Sequence, residues 1–129
     1  MPFLNRDQIL AADDLSREVV AVPEWGGEVV VVGCMAAERD RYEMMWANWS
    51  QKDVAVSDIR GWLVCRCLRD EDGKRMFSDK DTRALGAKSA KVVDRLWDVA
   101  RRLSGLSDED VEELEKNSDD APADDLPLT

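Results

Sequence analysis

The chain has 129 residues, of which 44% are hydrophobic and 36% charged, and its net charge is −10. This length and composition predict one soluble, folded domain rather than two. We expect neither a membrane span nor a signal peptide, because no apolar run approaches about eighteen residues and Asp13 and Asp14 interrupt the N-terminal region.

The negative charge is concentrated at the C-terminal end. Residues 1–106 contain 18 acidic and 17 basic side chains, whereas residues 107–129 contain 10 acidic side chains and Lys116 alone as a base. A near-neutral body does not attract phosphates, and an acidic end repels them. We therefore expect no nucleic acid among the partners.

The inventory of reactive side chains favours a protein that is not an enzyme. The chain contains no histidine, which removes the usual base of serine and cysteine triads. The three cysteines, Cys34, Cys65 and Cys67, are odd in number, which favours a reducing compartment. A zinc site would need all three and a carboxylate, so a structural role is the better interpretation. We predict no catalytic residue, cofactor or metal.

The N-terminal part is predicted to contain an arm followed by a β-hairpin. Residues 1–16 show only a weak apolar stripe, so we expect a loose arm. Residues 18–32, EVVAVPEWGGEVVVV, contain two runs of strand-forming residues, with Gly26 and Gly27 offering the positive φ angles of a tight turn. Pro23 cannot donate a ladder hydrogen bond, so it belongs at a strand end or an edge.

Two helices are predicted next. The first begins at Ala36 and covers about four turns, with an apolar stripe formed by Tyr42, Met45, Trp46 and Trp49. The second follows Ser57 as a cap and runs through DIRGWLVCRCLR, where apolar residues on more than one face predict the most buried helix. Gly61 inside it predicts the close approach of another element.

The remaining elements are predicted from turn and capping signals. Asp72 and Gly73 predict a reverse turn of the primed type, with a short strand pair around it. Ser78 and Asp81 have capping-box spacing, before a short helix that ends at Leu85-Gly86.

A longer amphipathic helix starts after Ser89 and ends before Gly105; its apolar positions are Val92, Val93, Leu96, Trp97, Ala100 and Leu103. Ser107 and Asp110 repeat the capping spacing, and Leu106 with Val111 has the spacing of a hydrophobic staple. A last helix is expected over about residues 108–116.

We therefore predict an α+β fold in which an N-terminal hairpin packs on a body of four to five helices. Residues 1–116 form the single domain, and residues 117–129 form a disordered acidic tail. Trp25 is the candidate contact residue at the hairpin tip. Core packing is the simplest interpretation of the helical aromatic residues, but the apolar stripe of the first helix supplies further candidates for partner binding: Tyr42, Met45, Trp46 and Trp49.

The order of these signals resembles the tail assembly chaperones of long-tailed bacteriophages and prophages. The resemblance is carried by the pattern DLxxExVxVPEWGGEVxV from Asp14 to Val31, by AAERDRYE at the start of the first helix, by the helix near Trp62 to Leu68, and by DEDGKRMFSDKDTRALGAKSAKVVDRLWDVARRLSGLSDEDVEELEKN. It covers most of the chain. No catalytic residues accompany this family.

The resemblance implies a non-virion protein of the host cytoplasm that binds the tape measure protein until tail tube subunits polymerise around it. Two binding modes stay open, a helix in a groove beside the Met- and Trp-bearing helices, or strand addition at the hairpin edge. The resemblance is also compatible with a homo-oligomer. The family often makes a longer product by ribosomal frameshifting, thought to recruit the tail tube protein, and Glu115-Lys116-Asn117 permits an A-rich slippery codon run.

Other functions fit the sequence less well. An acidic nucleic-acid mimic would need acids fixed on a folded surface, whereas most of the net charge lies in the last 23 residues. A different small phage or prophage adaptor protein remains an alternative. An enzyme would need a deep polar pocket, which the residue inventory does not indicate.

Overall fold

The computed structural model describes the backbone of residues 1–47 and 58–125, and the side chains of residues 1–47 and 59–116. Six α-helices and three strands are arranged in chain order: α1 (Arg6–Ala11), β1 (Arg17–Val22), β2 (Gly27–Val32), α2 (Ala36–Ala47), α3 (Asp58–Cys67), β3 (Leu68–Arg69), α4 (Thr82–Gly86), α5 (Ala90–Leu103) and α6 (Asp108–Asp125). Two short 3₁₀ turns cover Pro23–Trp25 and Asp79–Asp81. The predicted α+β fold, a hairpin on a mainly helical body, is confirmed.

The three strands form one antiparallel sheet in the order β1-β2-β3. The hairpin register pairs Val20 with Val29 and Val19 with Val30. Side chains alternate between the two faces of a strand, and Val20 and Val22 are accordingly buried against the helices while Val19 faces solvent. The helices thus cover one face of the sheet, whereas Val19 and Ala21 on the other face are exposed.

The strand pair predicted around Gly73 is also present. Arg69 in β3 forms an isolated antiparallel bridge with Arg75, and Gly73 has a φ of +85°. The Asp70 carboxylate accepts the backbone N–H groups of Asp72 and Lys74 at 2.8 and 3.0 Å. An aspartate at this position stabilises a turn because its carboxylate accepts backbone N–H groups of the residues that follow.

Helix α5 is the main support of the sheet. Its residues Val92, Leu96 and Ala100 are fully buried, as its strict apolar spacing predicts. At Gly33, directly after β2, a Cβ atom would lie only 2.4 Å from the Leu103 carbonyl oxygen. Glycine is therefore required where the chain leaves the sheet and crosses the end of α5.

Helix α3 packs against α4 and α5 and is buried on most of its surface. The prediction that Gly61 marks a close approach is confirmed, because a Cβ atom there would lie 2.8 Å from the Thr82 carbonyl oxygen. Leu63 and Val64 next to it are almost completely buried. α3 is therefore the central helix, as its all-round apolar sequence predicts.

Both predicted capping boxes are present. The Asp81 carboxylate accepts the Ser78 backbone N–H at 2.9 Å, and the Asp110 carboxylate accepts the Ser107 N–H at 3.0 Å. The hydrogen bonds from Ser107 hold the pKa of the Asp110 carboxyl below its ordinary value. The staple residue Leu106 is buried. These local bonds satisfy N–H groups that a helix start leaves free.

Three details differ from the sequence-based predictions. The arm of residues 1–16 contains helix α1, because Asn5 and Gln8 form a capping box there, although no residue of α1 is buried. The turn uses a positive φ at Gly26 only, and Gly27 belongs to β2.

The last helix continues to Asp125 rather than ending near residue 116. Three acids in its first turn complement the helix dipole, and each further residue adds one backbone hydrogen bond. The predicted Ser57 cap lies outside the described residues, and so do residues 126–129 of the predicted tail.

Candidate partner-binding surface

The tip of the hairpin is a short 3₁₀ turn. Pro23 opens it, where its fixed φ suits a helical start, and Gly26 closes it with a φ of +80° while donating its N–H to the Pro23 carbonyl at 3.0 Å. This turn presents Trp25, which is 39% exposed. The sequence therefore places a large apolar ring at the surface on a closed, hydrogen-bonded turn.

An ion pair fixes this tip on the helical body. The Arg95 guanidinium of α5 donates two hydrogen bonds to the Glu24 carboxylate, at 2.8 and 2.6 Å. These bonds hold the pKa of the Glu24 carboxyl at about 2, below its ordinary 4.5. A bidentate arginine contact restricts orientation as well as distance, so the position of Trp25 relative to α5 is constrained.

Trp25 forms one wall of a shallow, largely apolar groove, which we call the Trp25 groove. Its other walls come from the loop after β3 and from α4, with charged residues of opposite sign at the rim; the lining residues are Trp25, Phe77, Asp81, Ala84, Leu85 and Lys88. Leu85 is buried and Phe77 half-buried. The groove is open to solvent on one side and can accept an apolar side chain.

The aromatic residues of α2 lie elsewhere, in the core. Tyr42 is completely buried and Trp46 nearly so. The Tyr42 hydroxyl accepts the Trp97 indole N–H at 2.8 Å, its ring stacks on Trp62 at a centroid distance of 5.5 Å, and burial raises its pKa well above the usual range. We call Tyr42, Trp46, Trp62 and Trp97 the aromatic cluster.

The structure describes four of the five candidate contact residues. Among these four, Trp25 has the most exposed side chain. Met45 is partly buried against the core, and Trp49 lies outside the described residues. The lining of the Trp25 groove includes none of Tyr42, Met45 and Trp46. These three candidates on α2 therefore do not join Trp25 in that groove.

Comparison with known proteins decides the family. The family model for the phage tail assembly chaperone matches residues 5–117. This chain belongs to the phage tail assembly chaperone family.

A solved structure supports the fold of this chaperone. The bacteriophage HK97 tail assembly chaperone is similar to it, with a TM-score of 0.58 and 24% sequence identity; the match covers 75% of this chain and 94% of the HK97 chain. A search of curated proteins found no match. The expected resemblance to this family is thus confirmed, and the structural likeness at this identity concerns the fold.

Sequence reasoning missed two features of the chaperone. The first is the contribution of Phe77 and Leu85 to the Trp25 groove, since both lie more than fifty residues from Trp25 in the chain. The second is a buried ion pair between Glu38 and Arg66, whose charged groups are 3.2 Å apart. In the sequence, a glutamate in the first turn of a helix indicates only an interaction with the start of that helix. Glu38 does accept the Met35 N–H at 3.0 Å, but nothing in the sequence indicates Arg66 as its second partner.

The cysteines of the chaperone are packing residues in this structure. Cys34, Cys65 and Cys67 are unpaired and buried. Burial raises the pKa of the Cys67 thiol to about 12 and also raises that of Cys34, so the thiols of Cys34 and Cys67 stay protonated at neutral pH and are poor nucleophiles. Among the side chains that the structure describes, those of residues 1–47 and 59–116, no group of three or more cysteines and carboxylates is arranged to hold a metal ion.

Among the described residues, no helix combines the length and the apolar character that crossing a membrane requires.

Proposed function

We propose that this chaperone binds the tape measure protein of its phage and keeps it soluble until tail tube subunits polymerise around it. The proposed action is non-catalytic and takes place in the host cytoplasm, and the chaperone is absent from the mature virion. The observation that carries the proposal is the family match over residues 5–117. A long helix-rich protein that exposes apolar stripes before assembly is prone to aggregate, and covering those stripes opposes aggregation.

The Trp25 groove is the proposed binding site. Its apolar walls suit the apolar stripe of an amphipathic helix, with Asp81 and Lys88 available for rim contacts to charged residues of either sign. Tryptophan is over-represented among the residues that dominate binding energy. Because Glu24 and Arg95 hold the turn in place, Trp25 loses little conformational freedom on binding.

A helix in the groove is preferred here over the α2 stripe. Tyr42 and Trp46 already pack on the chain's own side chains, and exposing them would break the hydrogen bond from Trp97 to Tyr42. We propose further that a frameshifted longer form recruits the tail tube protein. Sequencing the DNA at Glu115-Lys116-Asn117 tests this point, since codons without a slippery run contradict it.

Co-expression tests the main proposal. The tape measure protein encoded by the same phage is produced alone, with the chaperone, or with its Trp25→Ala variant, and the soluble fraction is measured by centrifugation and immunoblotting. We expect the chaperone to raise the soluble fraction severalfold and the variant to do so much less. An unrelated aggregation-prone helical protein is the specificity control. Equal insolubility of the tape measure protein with and without the chaperone contradicts the proposal.

A further inference from the structure

One wall of the Trp25 groove is a single helical face. The backbone is helical from the 3₁₀ turn Asp79–Asp81 through α4 to Ala87, which has a φ of −86° and a ψ of −5°. Residues spaced i, i+3, i+4 and i+7 share one face of a helix. Four groove residues have this spacing, and we call them the α4 stripe: Asp81, Ala84, Leu85 and Lys88. The stripe thus has an acid at its start, a small residue in its middle and a base at its end.

The middle of the groove has room for one large apolar side chain. Ala84 is exposed, and Trp25 and Phe77 contribute aromatic rings to the lining. The groove has a volume of about 250 Å³. Pockets that hold whole small molecules usually have about 300 to 1,000 Å³. The groove therefore suits a single side chain of a protein partner, such as a leucine or a phenylalanine, better than a free ligand.

Both charged ends of the α4 stripe are available for contacts. The Asp81 carboxylate accepts the Ser78 N–H and the Ser78 hydroxyl through its Oδ2 atom, at 2.9 and 3.3 Å, which fixes its position and leaves Oδ1 free of donors from the described residues. Lys88 is exposed, and its ammonium group has no ion-pair partner in the described part of the chain. Seven helical residues cover about 10 Å, so an anion and a cation lie about two turns apart.

We propose that the Trp25 groove selects an amphipathic helix that runs antiparallel to α4 and has three defined positions. These are an acidic residue, a large apolar residue three or four positions later, and a basic residue seven positions after the acid. The acid faces Lys88, the apolar side chain enters the groove over Ala84, and the base faces Asp81. The inference rests on the proposed function, because it names the kind of helix that the groove takes from the tape measure protein.

The direction of the bound helix follows from helix electrostatics. Negative charge is favourable near the N-terminus of a helix and positive charge near the C-terminus, so an acid that precedes a base suits the partner helix itself. A helix with this charge order matches both ends of the α4 stripe only when it is antiparallel to α4. The antiparallel arrangement therefore satisfies the charges of the groove and the stability of the partner helix together.

Charge reversal at one end of the stripe tests the proposal. Peptides of about 20 residues are taken from tape measure segments with the acid–apolar–base pattern, and each is compared with a version whose acid is replaced by lysine. Fluorescence anisotropy should give a Kd about fivefold lower for the acidic version. Lys88→Glu should reverse this preference, because a carboxylate then faces the substituted lysine. Lys74→Glu changes an exposed lysine outside the groove lining and should preserve the original preference.

Filling the groove tests its central position. Ala84→Trp should raise the Kd of the matching peptides at least about tenfold, because the new ring occupies the space for the apolar side chain. Ala87→Trp makes the same change at an exposed alanine that does not line the groove, and it should leave the Kd unchanged. Thermal unfolding should show that both variants remain folded, since both alanines are at the surface.

Three results overturn the inference. The first is a Kd above about 1 mM for every matching peptide, and the second is an unchanged preference in Lys88→Glu. The third is equal binding of peptides with a central proline, which breaks a helix; the groove then accepts an extended segment instead.

Tape measure solubilisation by the same variants separates this inference from the proposed function. Solubilisation that is insensitive to Ala84→Trp leaves the proposed function standing and rejects the groove as the site. Pattern-specific peptide binding without solubilisation of the tape measure protein rejects the proposed function and supports the selectivity of the groove.

Discussion

The aromatic cluster and the hairpin tip use the same residue type for opposite purposes. In the cluster, Trp97 is buried and its indole N–H is donated to the Tyr42 hydroxyl at 2.8 Å. At the tip, Trp25 keeps 39% of its surface exposed beside an open groove. A tryptophan with every neighbour supplied by its own chain stabilises the fold, whereas one with free surface can bind something else.

The ion pairs of the two regions differ in the same way. Arg66 and Glu38 are enclosed, with 9% and 5% of their side chains exposed, and the Arg66 guanidinium lies 4.1 Å from the Trp62 ring centroid. Arg95 and Glu24 are each about one third exposed. Loss of a buried partner leaves a charge without solvent, whereas an exposed group is rehydrated. Equivalent substitutions should therefore have unequal effects.

The largest expected effect separates the two tryptophans. Trp97→Ala should lower the free energy of unfolding by about 4 kcal/mol, because a buried ring is lost and the Tyr42 hydroxyl loses its donor. For Trp25→Ala the loss of unfolding free energy should be smaller than for Trp97→Ala by about 1 to 2 kcal/mol, since part of the Trp25 surface is already in water. Urea unfolding measures both.

The binding measurement should reverse this order. Tape measure solubilisation should fall for Trp25→Ala, and it should be retained by Trp97→Ala under conditions in which that variant is folded. If Trp25→Ala lowers stability by as much as Trp97→Ala and leaves solubilisation unchanged, Trp25 is a core residue and the comparison fails.

Arg66→Met should have the next largest effect on stability. The substitution leaves the buried Glu38 carboxylate with the Met35 N–H as its remaining described hydrogen bond, and we expect a loss of about 3 kcal/mol at neutral pH. Calorimetry or urea unfolding provides the measurement. The matched control is the double variant Glu38→Gln with Arg66→Met, which removes both charges and should recover most of the loss. A single variant within about 0.5 kcal/mol of the unchanged protein would show that the pair is not effectively buried.

The smallest expected effect concerns the pH dependence of the tip. The folded-state pKa of Glu24, about 2, lies below its ordinary value of 4.5. Its contribution to stability is therefore complete above about pH 4.5 and disappears as the pH falls towards 2. Glu24→Gln should be less stable than the unchanged protein at pH 7.

The difference between the two proteins should shrink between pH 4.5 and 2, as measured by urea unfolding at each pH. Added salt should reduce the difference at pH 7, because the pair is partly exposed. A difference that stays constant across this pH range would mean that the Arg95 contact does not lower the pKa of Glu24.

Local signals predicted much of this fold. The spacing of Ser78 with Asp81 and of Ser107 with Asp110 predicted both helix starts, because a capping box is completed within four residues. The apolar spacing of α5 predicted its buried face, because residues three and four positions apart lie on the same side of a helix. The family also followed from ordered sequence patterns, such as VPEWGG followed by AERD, and the match over residues 5–117 confirmed it.

The candidate site was predicted less completely. Trp25 was identified by its place at a hairpin tip, but its groove partners Phe77 and Leu85 come from distant parts of the chain. Tyr42 and Trp46 were proposed as contact residues from their helical stripe, and the structure buries both. A stripe shows which face of a helix is apolar and does not show what covers it.

The sequence by itself determined the elements, their caps and the turn that carries Trp25, because these depend on backbone conformation and on interactions across a few residues. Only the tertiary structure decided which apolar side chains are covered, that Glu38 meets Arg66, and that β1 pairs with β2 alone in the described part of the chain. Those outcomes depend on contacts between segments far apart in the chain, and their energies exist only after the segments have packed together.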